Sequence, residues 1–133
     1  MQQVKEQIVL RRDDYEIIMI HLKQGIAKAT FNRQDADELK AELKRAKLVD
    51  KTEFPGDVVR LNSRVKIKDE KDTRIMELML VTPEKADIKE RKISIMSPIG
   101  TALLGFRKGQ KVKWNVPAGK KTFVILDVLN AFQ

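Results

Sequence analysis

The sequence contains no cysteine, which excludes disulfides, thiolate nucleophiles and zinc sites built on cysteine. Its single histidine, His21, excludes a metal centre made from clustered imidazoles. A lone histidine in a helical pattern reads as a partly exposed structural residue. Aromatic residues make up only 5% of the chain, few for an aromatic-lined catalytic pocket or a row of base-stacking platforms. Nowhere does the chain approach the ~20 uninterrupted apolar residues that a membrane-spanning helix requires. The opening MQQVKEQIVLRRDDYE lacks the apolar run and small-residue cleavage site of a secretory signal, so the expected location is cytoplasmic, with no membrane partner. Nucleophile–base triads, glycine-rich phosphate loops and metal-ligand clusters are also missing. The expectation is a protein that is not an enzyme and uses no cofactor and no metal.

What is present is one ordinary domain's worth of chain, or a small domain with an appendage: 133 residues, 42% of them hydrophobic, enough for a folded core. The net charge of +8 is uneven. Residues 1–54 carry 11 Lys/Arg against 10 Asp/Glu, a balance of +1, whereas residues 55–133 carry 16 against 9, a balance of +7. An excess concentrated in one segment favours acidic partners, such as nucleic acid or an acidic protein surface.

The first part reads as a short antiparallel helical hairpin. Tyr15, Ile18, Leu22, Gly25 and Ala29 recur at spacings of three and four from Asp13 onward, the seam of a packed helix. Ile17 and Ile26 are expected to widen that stripe. After the polar stretch Thr30 to Gln34, Ala36, Leu39, Leu43 and Ala46 define a second helix. At its start, Asp35 and Glu38 have the spacing of a capping box, and Asp37 suits the positive end of the helix dipole. The alternative reading of Asp35 and Glu38 is a paired-carboxylate site for a divalent cation. Capping is the preferred reading, because acidic residues are common in first turns.

Phe54-Pro55-Gly56-Asp57 breaks the helical pattern, and a boundary is placed there, dividing the chain into 1–54 and 55–133. Beyond it the period changes. An extended run is expected through Val58, Val59, Leu61, Val65 and Ile67, followed by strands at Ile75–Val81, around Ile93 and Ile95, through Val112, Trp114 and Val116, and through Phe123, Ile125 and Val128. Pro117-Ala118-Gly119 makes the turn between the last two. One helix interrupts the series, with Ser97 as N-cap, Pro98 at the first helical position and Gly105 at the exit. An antiparallel sheet with one short helix is an α+β arrangement.

The run Ile93-Ser94-Ile95-Met96-Ser97-Pro98-Ile99-Gly100-Thr101-Ala102-Leu103-Leu104-Gly105, then Lys108-Gly109 and Trp114-Asn115-Val116-Pro117-Ala118-Gly119, resembles the C-terminal domain of the GreA/GreB elongation factors. Asp57-Val58-Val59-Arg60-Leu61-Asn62-Ser63-Arg64-Val65-Lys66, preceded by Ala41-Glu42-Leu43-Lys44-Arg45-Ala46, looks like a signature of the family's short Rnk branch (regulator of nucleoside diphosphate kinase). Ala118 departs from the family's Pro-Gly-Gly. The resemblance spans nearly the whole chain and is weakest over residues 1–34. It implies an FKBP-like C-terminal domain, an N-terminal coiled-coil hairpin, and docking on RNA polymerase at the rim of the secondary channel. The residues that would meet the rim are Met96, Ser97, Pro98 and Ile99, presented as a fixed apolar knob with free N–H donors. Gre factors use a longer hairpin to carry tip carboxylates to the polymerase active centre. Here the first helix, taken as Asp13 to Lys28, reaches only about 24 Å, so Asp35, Asp37 and Glu38 are expected to stop short. The implied function is a polymerase-binding transcription regulator that does not stimulate transcript cleavage.

Two other functions fit parts of the pattern. A peptidyl-prolyl isomerase would need Phe106, Trp114, Phe123 and Phe132 to line a pocket, but their alternation in strands places them in the core. Direct, non-specific nucleic-acid binding would use Lys66, Lys68, Lys71, Arg107, Lys108, Lys111, Lys113, Lys120 and Lys121, although no stacking aromatics are interleaved with them.

Overall fold

The computed structural model describes residues 8–28, 33–116 and 119–130. Strand β1 (Val9–Arg11) leads directly into α1 (Arg12–Lys28), whose first turn carries Asp13 and Asp14, suited to the positive helix end. Ile18, Leu22 and Gly25 are buried along one face of α1. Ile17 does not widen this stripe: it is 40% exposed, because one residue of a 3.6-residue period turns it past the edge of the contact. Helix α2 (Arg33–Arg45) buries Ala36, Leu39 and Leu43. It starts two residues before Asp35, so Asp35 lies inside its first turn and is not the N-cap; Arg33 and Gln34 are good helix formers that extend the helix backwards. The expected contributions of Ile26, Ala29 and the connection at 29–32 lie outside the described residues.

The chain then forms β2 (Lys47–Val49), which runs parallel to β1 in the register Val9 with Lys47, Leu10 with Leu48 and Arg11 with Val49. This two-stranded sheet closes the base of the helices. Leu10 is fully buried, and the Ile8 carbonyl accepts a hydrogen bond from the Lys47 amide at 2.8 Å.

Five further strands form the main sheet: β3 (Arg64–Asp69), β4 (Ile75–Val81), β5 (Lys92–Ser94), β6 (Lys111–Val116) and β7 (Gly119–Leu129), in the order β5-β4-β3-β7-β6. The expected alternation holds where it was clearest. Val65 and Ile67 are buried on β3, with Arg64 and Lys66 exposed between and beside them. The sheet is mixed, however. β5 pairs parallel to β4, after a connection through two single-turn 3₁₀ segments at Pro83–Lys85 and Ile88–Glu90 that carries the chain back along the sheet edge. The remaining pairs are antiparallel. Val116 pairs with Gly119, and the turn residues Pro117 and Ala118 lie outside the described residues.

Residues 58–63 are not a strand, although Val58, Val59 and Leu61 read as one. They form a buried connector whose backbone bonds to several neighbours. Val59 exchanges hydrogen bonds with Gly105 and Phe106, the Asn62 amide donates to Leu80, and the Leu80 amide donates to Ser63. Asn130 donates to the Gly56 and Val58 carbonyls and accepts from the Ser63 hydroxyl. Asn62 takes a positive φ of 68°, which lets the path reverse into β3.

One hydrophobic cluster runs from Leu10, Ile18, Leu22 and Leu39 on the helical side to Val59, Ile67, Leu103, Phe123 and Ile125 on the sheet side. Within it lies an ion pair. Asp14 on α1 accepts two hydrogen bonds from Arg60 on the connector, both at 2.8 Å, and both side chains are almost fully buried. A second tie joins α1 to the connection that follows β4, with His21 Nε2 2.9 Å from Glu84.

Removing one partner of a buried ion pair strands the other. Asp14→Ala should therefore cost about 3–5 kcal/mol in urea denaturation, while combining Asp14→Leu with Arg60→Met should recover most of that loss. The Arg11 guanidinium holds the Asp13 carboxyl below its ordinary range through hydrogen bonds, and the Thr82 hydroxyl, with His21 contributing, does the same for Glu84. Both contributions are complete above the ordinary carboxylate pKa and fade as pH falls through the depressed values, because the unfolded chain takes up those protons first. Asp13→Asn with Glu84→Gln should flatten the acid limb of the stability–pH curve.

Candidate functional site

The strongest sequence motif forms a tightly bonded corner between β5 and α3 (Pro98–Leu103). Its geometry follows from small hydroxyl residues placed where the chain must turn. The Ser94 hydroxyl accepts from the Met96 amide at 3.0 Å, and the Ser94 carbonyl accepts from both the amide (3.0 Å) and the hydroxyl (2.6 Å) of Ser97. Ser97 then caps α3 by accepting from the Gly100 amide at 3.1 Å. Thr101, buried one turn further on, donates its hydroxyl to the Ile95 carbonyl at 3.1 Å. The corner is thus closed on itself by three hydroxyl side chains.

Glycine makes the packing possible. A Cβ added to Gly100 would run into the Ser94 carbonyl oxygen and stand 3.0 Å from Ile95 Cα, so α3 lies directly on the strand it follows. Gly105, just past the helix, has φ +83° and would set a Cβ 2.5 Å from the Ile8 Cβ. Its amide donates to Val59 at 3.1 Å. The helix exit therefore joins three elements: α3, the connector and the start of β1.

The four corner residues are not equivalent. Met96 and Ile99 are buried in the core cluster, at 5% and 9% exposure, and Ser97 is half-buried. Pro98 occupies the first position of α3, and its side chain lies outside the described residues. Of Met96, Ser97 and Ile99, Ser97 is the one that reaches the surface. The Gly100 N–H is already taken by the serine. Asp35, Asp37 and Glu38 lie on α2; Asp37 is exposed, and the side chains of Asp35 and Glu38 lie outside the described residues. Among the described residues, no three acidic or histidine side chains gather in a metal-binding arrangement. Phe106 and Phe123 are buried in the core.

Sequence reasoning missed Asp14, Arg60, Ser94 and Thr101. A signal existed for Asp14: it precedes Ile18 by four residues and so falls on the buried seam, where a carboxylate requires a cation. The hydroxyls of Ser94 and Thr101 carry no such signal, because their partners are carbonyls and amides of the same turn.

With this geometry in hand, similarity to known proteins becomes informative. Residues 54–130 match the family described as transcription elongation factor, GreA/GreB, C-term. The chain is 42% identical over 115 residues to the regulator of nucleoside diphosphate kinase of Escherichia coli (strain K12), covering 86% of this chain and 82% of that protein. Transcription elongation factor GreA of Rhizobium leguminosarum bv. trifolii (strain WSM2304) is 35% identical over 99 residues, 74% of this chain but only 63% of that factor. A solved GreA/GreB elongation factor structure from Nitrosomonas europaea superposes with a TM-score of 0.78 at 35% identity, covering 95% of this chain and all of that one.

The corner's bonds can be weighed separately. Ser97→Ala should cost about 1 kcal/mol through loss of the cap. Gly100→Ala should cost more, about 1–3 kcal/mol, because helix and strand must part. Urea melts of both variants test that order.

Proposed function

Because the chain belongs to the GreA/GreB transcription elongation factor family, we propose that it is a transcription regulator that docks on RNA polymerase at the rim of the secondary channel. The observation that carries this reading is the hydroxyl-closed corner at Ser94–Thr101, which lies within the matched family segment. Ser97 is half-buried at the turn, and Pro98 occupies the first position of α3. Met96 and Ile99 act from beneath, fixing the turn by burial. A rigid, self-bonded corner loses little conformational freedom on binding.

In this reading α1 and α2 form a short antiparallel coiled-coil hairpin, residues 1–54, on an FKBP-like domain of residues 55–133. The 17 residues of α1 extend about 26 Å. That reach leaves Asp35, Asp37 and Glu38 short of the polymerase active centre, so binding proceeds without stimulated transcript cleavage and without a resident metal. The match to the Rhizobium factor takes in under two thirds of that factor, in keeping with a shorter reach. The relatives named above are regulators and transcription factors, which supports a non-enzymatic role. Basic residues facing away from the core, among them Lys66 on β3 and Lys111 on β6, steer the protein toward the acidic polymerase–nucleic acid assembly and allow non-specific contact with nucleic acid.

Titration of purified bacterial RNA polymerase with the labelled protein tests the proposal. Saturable binding is expected, weakened about tenfold by Pro98→Ala (~1.4 kcal/mol), with no acceleration of transcript cleavage in a backtracked complex. Absence of saturable binding at micromolar concentration and moderate salt would overturn it.

A further inference from the structure

The outer face of the sheet carries a groove of about 560 Å³ near its β5 edge, lined by Arg64, Glu77, Leu78, Met79, Glu90, Arg91 and Lys92. Its composition follows from register. Arg64 on β3 and Lys92 on β5 both pair with Met79 on the strand between them, so all three side chains emerge on the same face. Two strand spacings separate the backbones of the two cations by about 10 Å, a span that long side chains close from both sides. Arg91 precedes Lys92 and is held at φ 58° by hydrogen bonds from its amide to Ile88 and from the Met79 amide to its carbonyl. A non-glycine residue kept in the left-handed region costs free energy and is retained where its neighbours over-determine it.

Among the described residues, no side-chain ion pair or hydrogen bond involves Arg64, Arg91 or Lys92, whereas Arg12 pairs with Asp50, Lys108 with Asp127 and Lys111 with Glu70. Three cations against the two carboxylates of Glu77 and Glu90 leave the lining at +1, which favours an anion, and guanidinium groups suit the paired oxygens of phosphate. The rest of the lining asks for more than a bare anion. Met79 gives a half-buried apolar floor, and Glu77 and Glu90 supply carboxylates that accept from hydroxyl or amino donors. The volume falls in the usual range for small-molecule sites, roughly 300–1,000 Å³.

We propose that this groove binds a nucleotide carrying two or more phosphates. Arg64, Arg91 and Lys92 hold the phosphates, Met79 lies against the base, and the carboxylates accept from ribose or base. The groove is separate from the Ser94–Thr101 corner in sequence and in lining residues, so the proposal does not depend on docking to polymerase.

Amide chemical-shift titration of the full chain with ADP, at about 0.15 M salt to screen diffuse surface charge, tests it. Saturable shifts are expected at Arg64, at 77–79 and at 90–92. Arg64→Ala with Lys92→Ala should weaken binding about tenfold or more without lowering the thermal midpoint, since both side chains point outward. Lys121→Ala, on β7 and outside the lining, should leave affinity unchanged. Adenosine should not bind at the same concentration, and pyrophosphate should bind more weakly than ADP. Any of three results would overturn the proposal: no saturable shift at millimolar ADP, pyrophosphate binding as tightly as ADP, or equal weakening by Lys121→Ala. The last would mark a diffuse basic face that attracts nucleic acid in place of a nucleotide site.

Discussion

The arrangement of helices against sheet depends on the ion pair between Asp14 and Arg60. Forty-six positions separate the two residues, and each is surrounded by core side chains. Two charges withdrawn from water contribute little net stability, but they tolerate almost no displacement, because a half-made bond leaves a charge without solvent. Hydrophobic contact alone would allow α1 to slide or rotate on the sheet at small cost. A two-point bond from a planar guanidinium does not. It also holds the connector in place, since the Arg60 amide donates to the Ser63 hydroxyl, which in turn meets Asn130 at the end of β7. Helices, connector and final strand are thereby referred to a common point.

Which parts of the fold were legible in the sequence follows from the range of the forces that shape them. The corner before α3 was readable because a serine cap, a proline and an exit glycine act within a few residues of one another. The strands β3, β4, β6 and β7 were readable because a half-buried strand shows its period in its own side chains. The parallel pair β1 and β2 was not, since three-residue strands show no period and their pairing is non-local. The connector at 58–63 read as a strand because burial on several sides produces the same run of valines and leucine as burial in a sheet. The parallel direction of β5 was illegible for a similar reason: periodicity reports which face a side chain takes and carries no information on strand polarity.

The candidate site shows the same division. Ser97, Pro98 and Gly105 declared themselves, whereas the burial of Met96 and Ile99 depends on where the core lies and could not be read from an apolar residue type beside a turn. The corner is closed by hydroxyls and supported from below by side chains shared with the core. The acidic residues of α2 belong to a different part of the molecule, and no hydrogen bond or ion pair among the described residues connects them to the corner. Docking and chemistry at a distance would be carried by separate elements joined through the core.

The pairing of β1 with β2 has a topological consequence. It brings the chain segments on either side of the two helices onto adjacent strands, so everything between Arg11 and Lys47 is an excursion that leaves and returns at one place. Its base is tied to the sheet by the Asp14–Arg60 pair and the shared core, while the chain enters and leaves it at that base. Equal numbers of turns added to its outgoing and returning helices, beyond the buried residues near its base, would change its reach while leaving the strand register, the Asp14–Arg60 bond and the sheet as they are. Length is then a nearly free variable for natural selection, one that insertions and deletions at the far end can tune without a refolding of the base.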